Sequence, residues 1–283
     1  MPELPEVETV RRGLEPAMAG AVFVAVETRR KDLRFPLPAN FARRLEGARV
    51  ETLGRRGKYL TAALSSGETL VMHLGMTEAA AGSGPLDRAA RPDPAHDHVS
   101  FWMKGPGGKT RIDYNDPRRF GFMDLVETAT IDSSAHFGRM GPEPLSRDFT
   151  ANAFREALKR RSAPLKAALL DQSVVAGLGN IYVCEALFEA RLSPRRRASS
   201  LTGREADRLH SAICVTLAAA IEAGGSTLRD FAGSDGSLGY FQHRFRVYDR
   251  EGEACPACAG PVSRIVQSGR STFYCRKCQR QAP

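Results

Sequence analysis

Met1-Pro2-Glu3-Leu4-Pro5-Glu6 opens the chain, and the remaining sequence is organised around it. Removal of Met1, which a small second residue such as proline permits, leaves a free secondary amine at Pro2. Such an amine attacks a sugar or carbonyl carbon to form an imine, the covalent strategy of catalytic lysines. From proline the product is an iminium ion, positively charged without a proton and therefore an electron sink. Glu3 places a carboxylate beside the amine, and Glu6 follows three residues on, so in a helix the two acids share one face. The same residues are also ordinary first-turn material, proline for its fixed φ and glutamate for the macrodipole. From Leu4 the apolar residues Leu4, Val7, Val10, Leu14 and Met18 recur at spacings of three and four, and Gly20 stops the run. This predicts an amphipathic helix whose start carries the candidate nucleophile.

Beyond that helix the texture is strand-like. Val22, Val24 and Val26 alternate, and short runs follow at Tyr59–Leu64, Thr69–Leu74, Val99–Met103, Arg111–Tyr114 and Phe120–Val126. Short strands separated by Gly, Pro and Asp clusters predict an antiparallel sandwich or barrel. Ala79–Ala95, rich in Ala, Gly, Pro and Asp and without period, reads as a loop. Arg55-Arg56-Gly57-Lys58 sets three cations around a glycine, suited either to phosphate contact or to a charged strand edge; a buried Lys58 could also serve as acid or base. Asp116-Pro117-Arg118-Arg119-Phe120-Gly121 is a turn with two arginines beside an aromatic. That pattern suits either an apolar wedge in a duplex or a plain hairpin turn. His73, His96 and His98 lack cysteine companions and read as hydrogen-bonding or phosphate-contacting groups rather than metal ligands.

At 283 residues, 42% of them hydrophobic, the chain can build about two domains with real cores. Forty-one Lys and Arg against 32 Asp and Glu give a net charge of +9, which suits a polyanionic partner, nucleic acid first. No apolar run reaches membrane-spanning length and the N-terminus lacks the order of a signal peptide, so a cytoplasmic protein without a membrane partner is expected.

From about Asp148 helices take over. Thr150 caps a helix carrying Phe154, Ala157 and Leu158 that ends in Lys159, Arg160 and Arg161; a shorter one runs from Pro164 to Leu170. Gly177-Leu178-Gly179-Asn180 then feeds a helix whose N-terminus favours an anion, although such a glycine pair also lets helices pack closely. Thr202 and Glu205 form a capping box for a long helix closed by Gly224 and Gly225. Cys184 and Cys214 lie in apolar helical patterns and read as inert core thiols. Cys255-x-x-Cys258 and Cys275-x-x-Cys278, with sixteen residues between the pairs, have the spacing of a four-thiolate zinc site. Four thiolates leave no open coordination position, so one structural Zn2+ is expected. Ser263–Val266 and Ser271–Tyr274 predict two strands between the pairs, with Gly269 and Arg270 at the turn as a nucleic-acid probe.

Pro-Glu-Leu-Pro-Glu-Val-Glu-Thr, Arg-Gly-Lys-Tyr, His-Leu-Gly-Met, His-Asp-His-Val, Asp-Pro-Arg-Arg-Phe-Gly, Gly-Leu-Gly-Asn-Ile-Tyr and Gly-Arg-Ser-Thr-Phe-Tyr-Cys together resemble the bacterial formamidopyrimidine-DNA glycosylases nearly end to end. Leu4, where the related endonuclease VIII enzymes typically carry glycine, points to the purine-repair branch. The resemblance implies an α+β protein: an N-terminal antiparallel β-sandwich flanked by helices (1–131), a linker (132–147), a helix-two-turn-helix domain (148–235) and a C-terminal β-ribbon zinc finger (245–279). It implies a monomer, associated with the nucleoid while on DNA, that excises oxidised purines such as 8-oxoguanine from damaged double-stranded DNA and cuts the strand by β,δ-elimination. On this sequence the implied roles are attack by Pro2, proton donation by Glu3, Lys58 and Arg270, and anchoring by Glu6. Met76, Arg118 and Phe120 fill the void left by the flipped nucleotide, while His96, Arg118, Arg119, Arg161 and Asn180 contact DNA. The sequence departs from the family pattern at Thr77-Glu78, where Ser-Gly is usual, in the length of the Ala79–Ala95 segment, and at Ala259 and Ser268, where glycine is usual.

Overall fold

The structure, a computed structural model, describes residues 2–75, 78–83, 94–226 and 239–280, and for residues 78–83 and 94 the backbone alone. The chain divides into two compact units, Met1–Gly138 with Ala223–Tyr240, and Arg139–Glu222 with Phe241–Pro283.

In the first unit, helix α1 (Leu4–Met18) precedes two four-stranded antiparallel sheets. One has the order β1-β6-β7-β5, from β1 (Val22–Thr28), β5 (Glu78–Ser83), β6 (Asp97–Gly105) and β7 (Gly108–Asn115). The other has the order β2-β3-β4-β8, from β2 (Val50–Arg56), β3 (Tyr59–Leu64), β4 (Glu68–His73) and β8 (Phe122–Glu127). A short helix α2 (Phe41–Leu45) lies between β1 and β2. Val7, Val10, Leu14 and Met18 of α1 join Phe23, Val50, Leu60, Leu70, Phe101 and Met123 in one core, so the period read along the helix is the face it buries. The sandwich is flanked by helix as expected. Two elements depart from the sequence reading. The start of the supposed Ala79–Ala95 loop is strand β5, paired in register with β7 from Glu78↔Asn115 to Ser83↔Thr110. Its Ala-Ala-Ala-Gly run has no period-two signal, and the pairing with β7 decides its conformation. Strand β2 is absent from the sequence reading as well, because Glu51, Thr52, Gly54, Arg55 and Arg56 leave few apolar residues to alternate.

The second unit holds α3 (Ala151–Lys159), α4 (Leu165–Leu170), α5 (Asn180–Glu189), α6 (Gly203–Glu222) and the ribbon β9 (Val262–Gln267)–β10 (Arg270–Cys275). Thr150 Oγ1 caps α3 by accepting the Ala153 N–H at 3.2 Å. Glu205 accepts the Thr202 N–H at 2.8 Å while Thr202 Oγ1 accepts the Glu205 N–H at 3.3 Å, closing the predicted capping box. The ribbon packs on α5: Cys184 and Phe188 share a small core with Val247, Val262 and Phe273. Cys184 is thus a core thiol, but Cys214 is only half-buried and donates its S–H to the Pro144 carbonyl. No helix among the described residues is long and apolar enough to cross a membrane.

Candidate active site and metal centre

Pro2 and Glu3 are buried just ahead of α1. Glu3 is the N-cap, in extended conformation (φ −101°, ψ −174°), and its carbonyl accepts the first helical hydrogen bond, from Val7 N–H at 3.1 Å. The sequence reading puts Glu3 and Glu6 on one helix face; the structure corrects this, since Glu3 stands outside the helix. Glu6 turns back: its Oε2 accepts the Glu3 N–H at 2.9 Å, and its Oε1 accepts the Ser226 N–H at 2.9 Å and the Ser226 hydroxyl at 3.0 Å. With three donors on one buried carboxylate, Glu6 fixes the backbone of Glu3 and is itself tied to Ser226, 220 positions away. A Cβ at Gly225 would lie 3.1 Å from Glu6 Oε1, and Gly225 holds φ +79°, so glycine is required for this close approach.

The β2–β3 hairpin turns on Gly57-Lys58, with Arg56 opposite Tyr59. Gly57 has φ +58°, which suits the first position of a type II′ turn and sends Lys58 inward to only 8% exposure. Arg55, on sequence a candidate phosphate contact, binds Glu8 of α1 at 3.2 Å and the Gly57 carbonyl at 3.1 Å through its guanidinium, so it braces the turn. The pKa of His73, at the end of β4, is held down to about 4 by burial first and then by the nearby cations Lys58 and Arg34. The ring is neutral at pH 7. Its Nδ1 accepts the Gly75 N–H at 3.1 Å, which leaves the proton on Nε2.

The Asp116–Gly121 turn presents Arg118, Arg119 and Phe120 to solvent, with Phe120 half exposed and Arg119 in the left-handed region at φ +53°. Asp116 is buried and its Oδ2 accepts the Gly121 N–H at 2.8 Å. His98 binds the Asp116 carbonyl through Nε2 at 2.9 Å, and the His96 carbonyl accepts the Asp116 N–H at 3.1 Å. Met76, the remaining void-filling candidate, lies outside the described residues.

In the second unit, Asn180 opens α5 and donates Nδ2–H to the Ser271 carbonyl at 2.9 Å, while its buried Oδ1 has no partner among the described residues. Arg161 pairs with Asp171 at 3.1 Å and donates to Ser173 Oγ at 2.6 Å. Gln172 holds the glycine turn, accepting the Gly177 N–H at 2.8 Å and donating to the Leu178 carbonyl at 3.0 Å. Sequence reasoning missed Lys166. It is fully buried, and its ammonium donates to the Ser271 carbonyl at 2.9 Å and to Thr272 Oγ1 at 2.6 Å. A lysine inside the apolar run Leu165–Leu170 was the available signal. Lys166 and Asn180 therefore converge on the carbonyl next to Arg270. Ser268 and Gly269, at φ +49° and +71°, make the two-residue turn of the ribbon, so Arg270 is the first residue of β10 rather than the turn itself.

The Sγ atoms of Cys255, Cys258, Cys275 and Cys278 all lie within 4.8 Å of one another, with 3.9 Å between Cys255 and Cys278 and 3.5 Å between Cys258 and Cys275. A tetrahedral ion with bonds of ~2.3 Å has ligand–ligand edges of about 3.8 Å, so the four sulfurs fit zinc. Burial and the three neighbouring sulfurs push the Cys278 thiol up to about 12, whereas a backbone hydrogen bond at Gly260 holds Cys258 down to about 7, so a dication would stabilise the thiolate form most at Cys278. Among the described residues this is the one group of metal-ligating side chains.

Residues 1–123 match the model of the formamidopyrimidine-DNA glycosylase N-terminal domain, residues 140–232 that of the formamidopyrimidine-DNA glycosylase H2TH domain, and residues 252–281 that of a zinc finger found in FPG and IleRS. The chain is 56% identical to the formamidopyrimidine-DNA glycosylase of Beijerinckia indica subsp. indica, over 99% of this chain and all of that one. The crystal structure of the MutM (Fpg) protein from Thermus thermophilus superposes over the full length of both chains with a TM-score of 0.86 at 43% identity. The Lactococcus lactis Fpg, solved with DNA containing N7-benzyl-Fapy-dG, superposes with a TM-score of 0.87 at 33% identity over 99% of this chain and all of that one.

Proposed function

Because the chain belongs to the formamidopyrimidine-DNA glycosylase family, the bifunctional glycosylase/AP lyases of base excision repair, we propose that Pro2 is its nucleophile and oxidised purines its substrates. The observation that carries this reading is the buried Pro2-Glu3 pair, with Glu3 fixed through its own N–H by the triply bonded Glu6.

The lesion nucleotide leaves the stack, since C1′ is out of reach within a duplex. With Met1 removed, the Pro2 nitrogen bonds to C1′, and the damaged base departs with the glycosidic electron pair and takes up the proton that the Pro2 nitrogen releases. Glu3 gives its proton to O4′ as the C1′–O4′ bond breaks, and the nitrogen lone pair completes the iminium. The iminium acidifies C2′–H; loss of that proton expels the 3′ phosphate in β-elimination, and a second elimination expels the 5′ phosphate, leaving a one-nucleotide gap. Lys58 assists the first elimination and Arg270 the second as proton donors. Arg118 and Phe120, with Met76, fill the vacated stack, and His96, Arg119, Arg161 and Asn180 hold the backbone. One structural zinc ion, bound by Cys255, Cys258, Cys275 and Cys278, supports the ribbon carrying Arg270. The working parts are the sandwich (1–131), the helix-two-turn-helix domain (148–235) and the finger (245–279), acting as a monomer on damaged double-stranded DNA of the cytoplasmic nucleoid.

The test is product analysis on a duplex bearing 8-oxoguanine opposite cytosine. The wild type is expected to leave phosphate at both ends of a one-nucleotide gap. Glu3→Gln is expected to lower base excision by a factor on the order of 100 or more while still nicking a preformed abasic site, whose sugar is already open. Preference for an oxidised pyrimidine, or binding without any cut, would refute the reading.

A further inference from the structure

The turn carrying Phe120 crosses from β7 in one sheet to β8 in the other, and where it crosses it meets the end of β4 backbone to backbone. A Cβ built on Gly75 would lie 2.2 Å from Gly121 N and 2.5 Å from the Phe120 carbonyl carbon; Gly75 also holds φ +64°. A Cβ on Gly121 would lie 1.7 Å from the Tyr114 hydroxyl oxygen and 2.5 Å from the His73 carbonyl oxygen. Tyr114 itself is buried, and its hydroxyl donates across the sandwich to that His73 carbonyl at 2.9 Å. Around this point Asp116 Oδ2 accepts the Gly121 N–H, and the Arg34 N–H donates to the Gly121 carbonyl at 3.0 Å. Three strand ends are thus clasped: β7 through Tyr114, β4 through His73 and Gly75, and β8 through Gly121. Phe120 is the residue that precedes the clasp at Gly121.

We propose that Tyr114 is a positioning residue for duplex opening, its hydroxyl locking the His73-Leu74-Gly75 and Phe120-Gly121 backbones into one rigid unit so that the Phe120 side chain enters the stack from a fixed backbone. This rests on the reading of Phe120 as a wedge. Loss of the hydroxyl leaves the buried His73 carbonyl without this donor and lets Gly121 drift from Gly75. The cost falls on opening the duplex, not on the chemistry at C1′.

Tyr114→Phe, which keeps the ring and the volume, is compared with Phe120→Ala and with the double variant on two substrates: 8-oxoguanine opposite cytosine in a duplex, and a preformed abasic site in single-stranded DNA, where no partner base has to be replaced. Tyr114→Phe is expected to slow duplex excision about tenfold, the effect of one buried hydrogen bond, and to leave single-strand nicking unchanged. The double variant is expected to be no slower than Phe120→Ala alone, because both act on one step. A 2-aminopurine opposite the lesion is expected to show a delayed fluorescence change in Tyr114→Phe. If Phe120→Ala slows duplex excision and Tyr114→Phe does not, the clasp proposal is wrong and the wedge reading stands. If Phe120→Ala itself leaves duplex excision unchanged, both fall. Equal losses on the two substrates would make Tyr114 a merely structural residue and would also overturn the proposal.

Discussion

The N-terminal site and the cysteine ribbon solve the same problem, holding a short stretch of backbone still, by opposite means. At the N-terminus a single carboxylate, Glu6, collects donors from Glu3 and Ser226, residues far apart in the sequence, and the surrounding unit must be folded before the site exists. In the ribbon the four thiols between Cys255 and Cys278 close on one ion, beside a small core of Val247, Val262 and Phe273 on α5 and the hydrogen bonds that Lys166 and Asn180 give to Ser271. Long-range hydrogen bonding makes a site that is rigid but dependent on the whole unit. Metal ligation makes one that depends first on the metal.

Zinc removal separates the two most sharply. Structural zinc contributes on the order of 10 kcal/mol to folding a segment of this size, so chelation or Cys258→Ser is expected to unfold the ribbon and abolish the second elimination, the cut assigned to Arg270, while the sandwich keeps its near-ultraviolet dichroism. Survival of the one-nucleotide-gap product without zinc would mean that the ribbon does not place Arg270. Glu6→Gln comes next. It replaces one of the two acceptor oxygens by an amide N–H, which then faces the Glu3 N–H or, flipped, the Ser226 N–H; this is expected to cost about 2–3 kcal/mol in denaturant unfolding and to lower excision, with zinc content unchanged. Acid offers a third comparison. The folded His73 titrates near 4, below its ordinary 6.5, so the unfolded chain binds the extra proton between those values. Stability of the first unit should therefore be full above pH 6.5 and fall as the pH drops toward 4, by roughly 3 kcal/mol at most. His73→Gln should flatten that slope in a thermal-melt series. The smallest effect is expected at Ala259 and Ser268, which hold left-handed backbone at φ +57° and +49°. Glycine at either position should raise ribbon stability by up to about 1 kcal/mol, read as slower zinc loss to a chelator, and leave the N-terminal site untouched.

The same contrast explains what can be read from the sequence. The ribbon is legible because its chemistry is local: two Cys-x-x-Cys pairs and their interval name the metal, the coordination and the strands between. The first helix is legible for a similar reason, since a spacing of three and four residues is a local record of a buried face. Ser226 as a partner of Glu6 is not legible, because nothing near either residue marks a contact 220 positions apart. Lys166 hides for a different reason. A lone lysine in a helix is ordinarily read as solvated, and only the folded unit reveals that Ser271 and Thr272 accept its hydrogen bonds. Strand β5 reads as loop because its alanines carry no alternation and its conformation comes from β7.

The central claim is that the chemistry runs through the amine of residue 2. The most direct test is borohydride reduction of the enzyme with 8-oxoguanine-containing duplex, followed by intact mass and peptide mapping. The account predicts a protein lacking Met1, with one DNA-derived adduct on the peptide beginning at Pro2. An adduct on Lys58 or any other lysine, or no adduct while the lesion is bound, would contradict it.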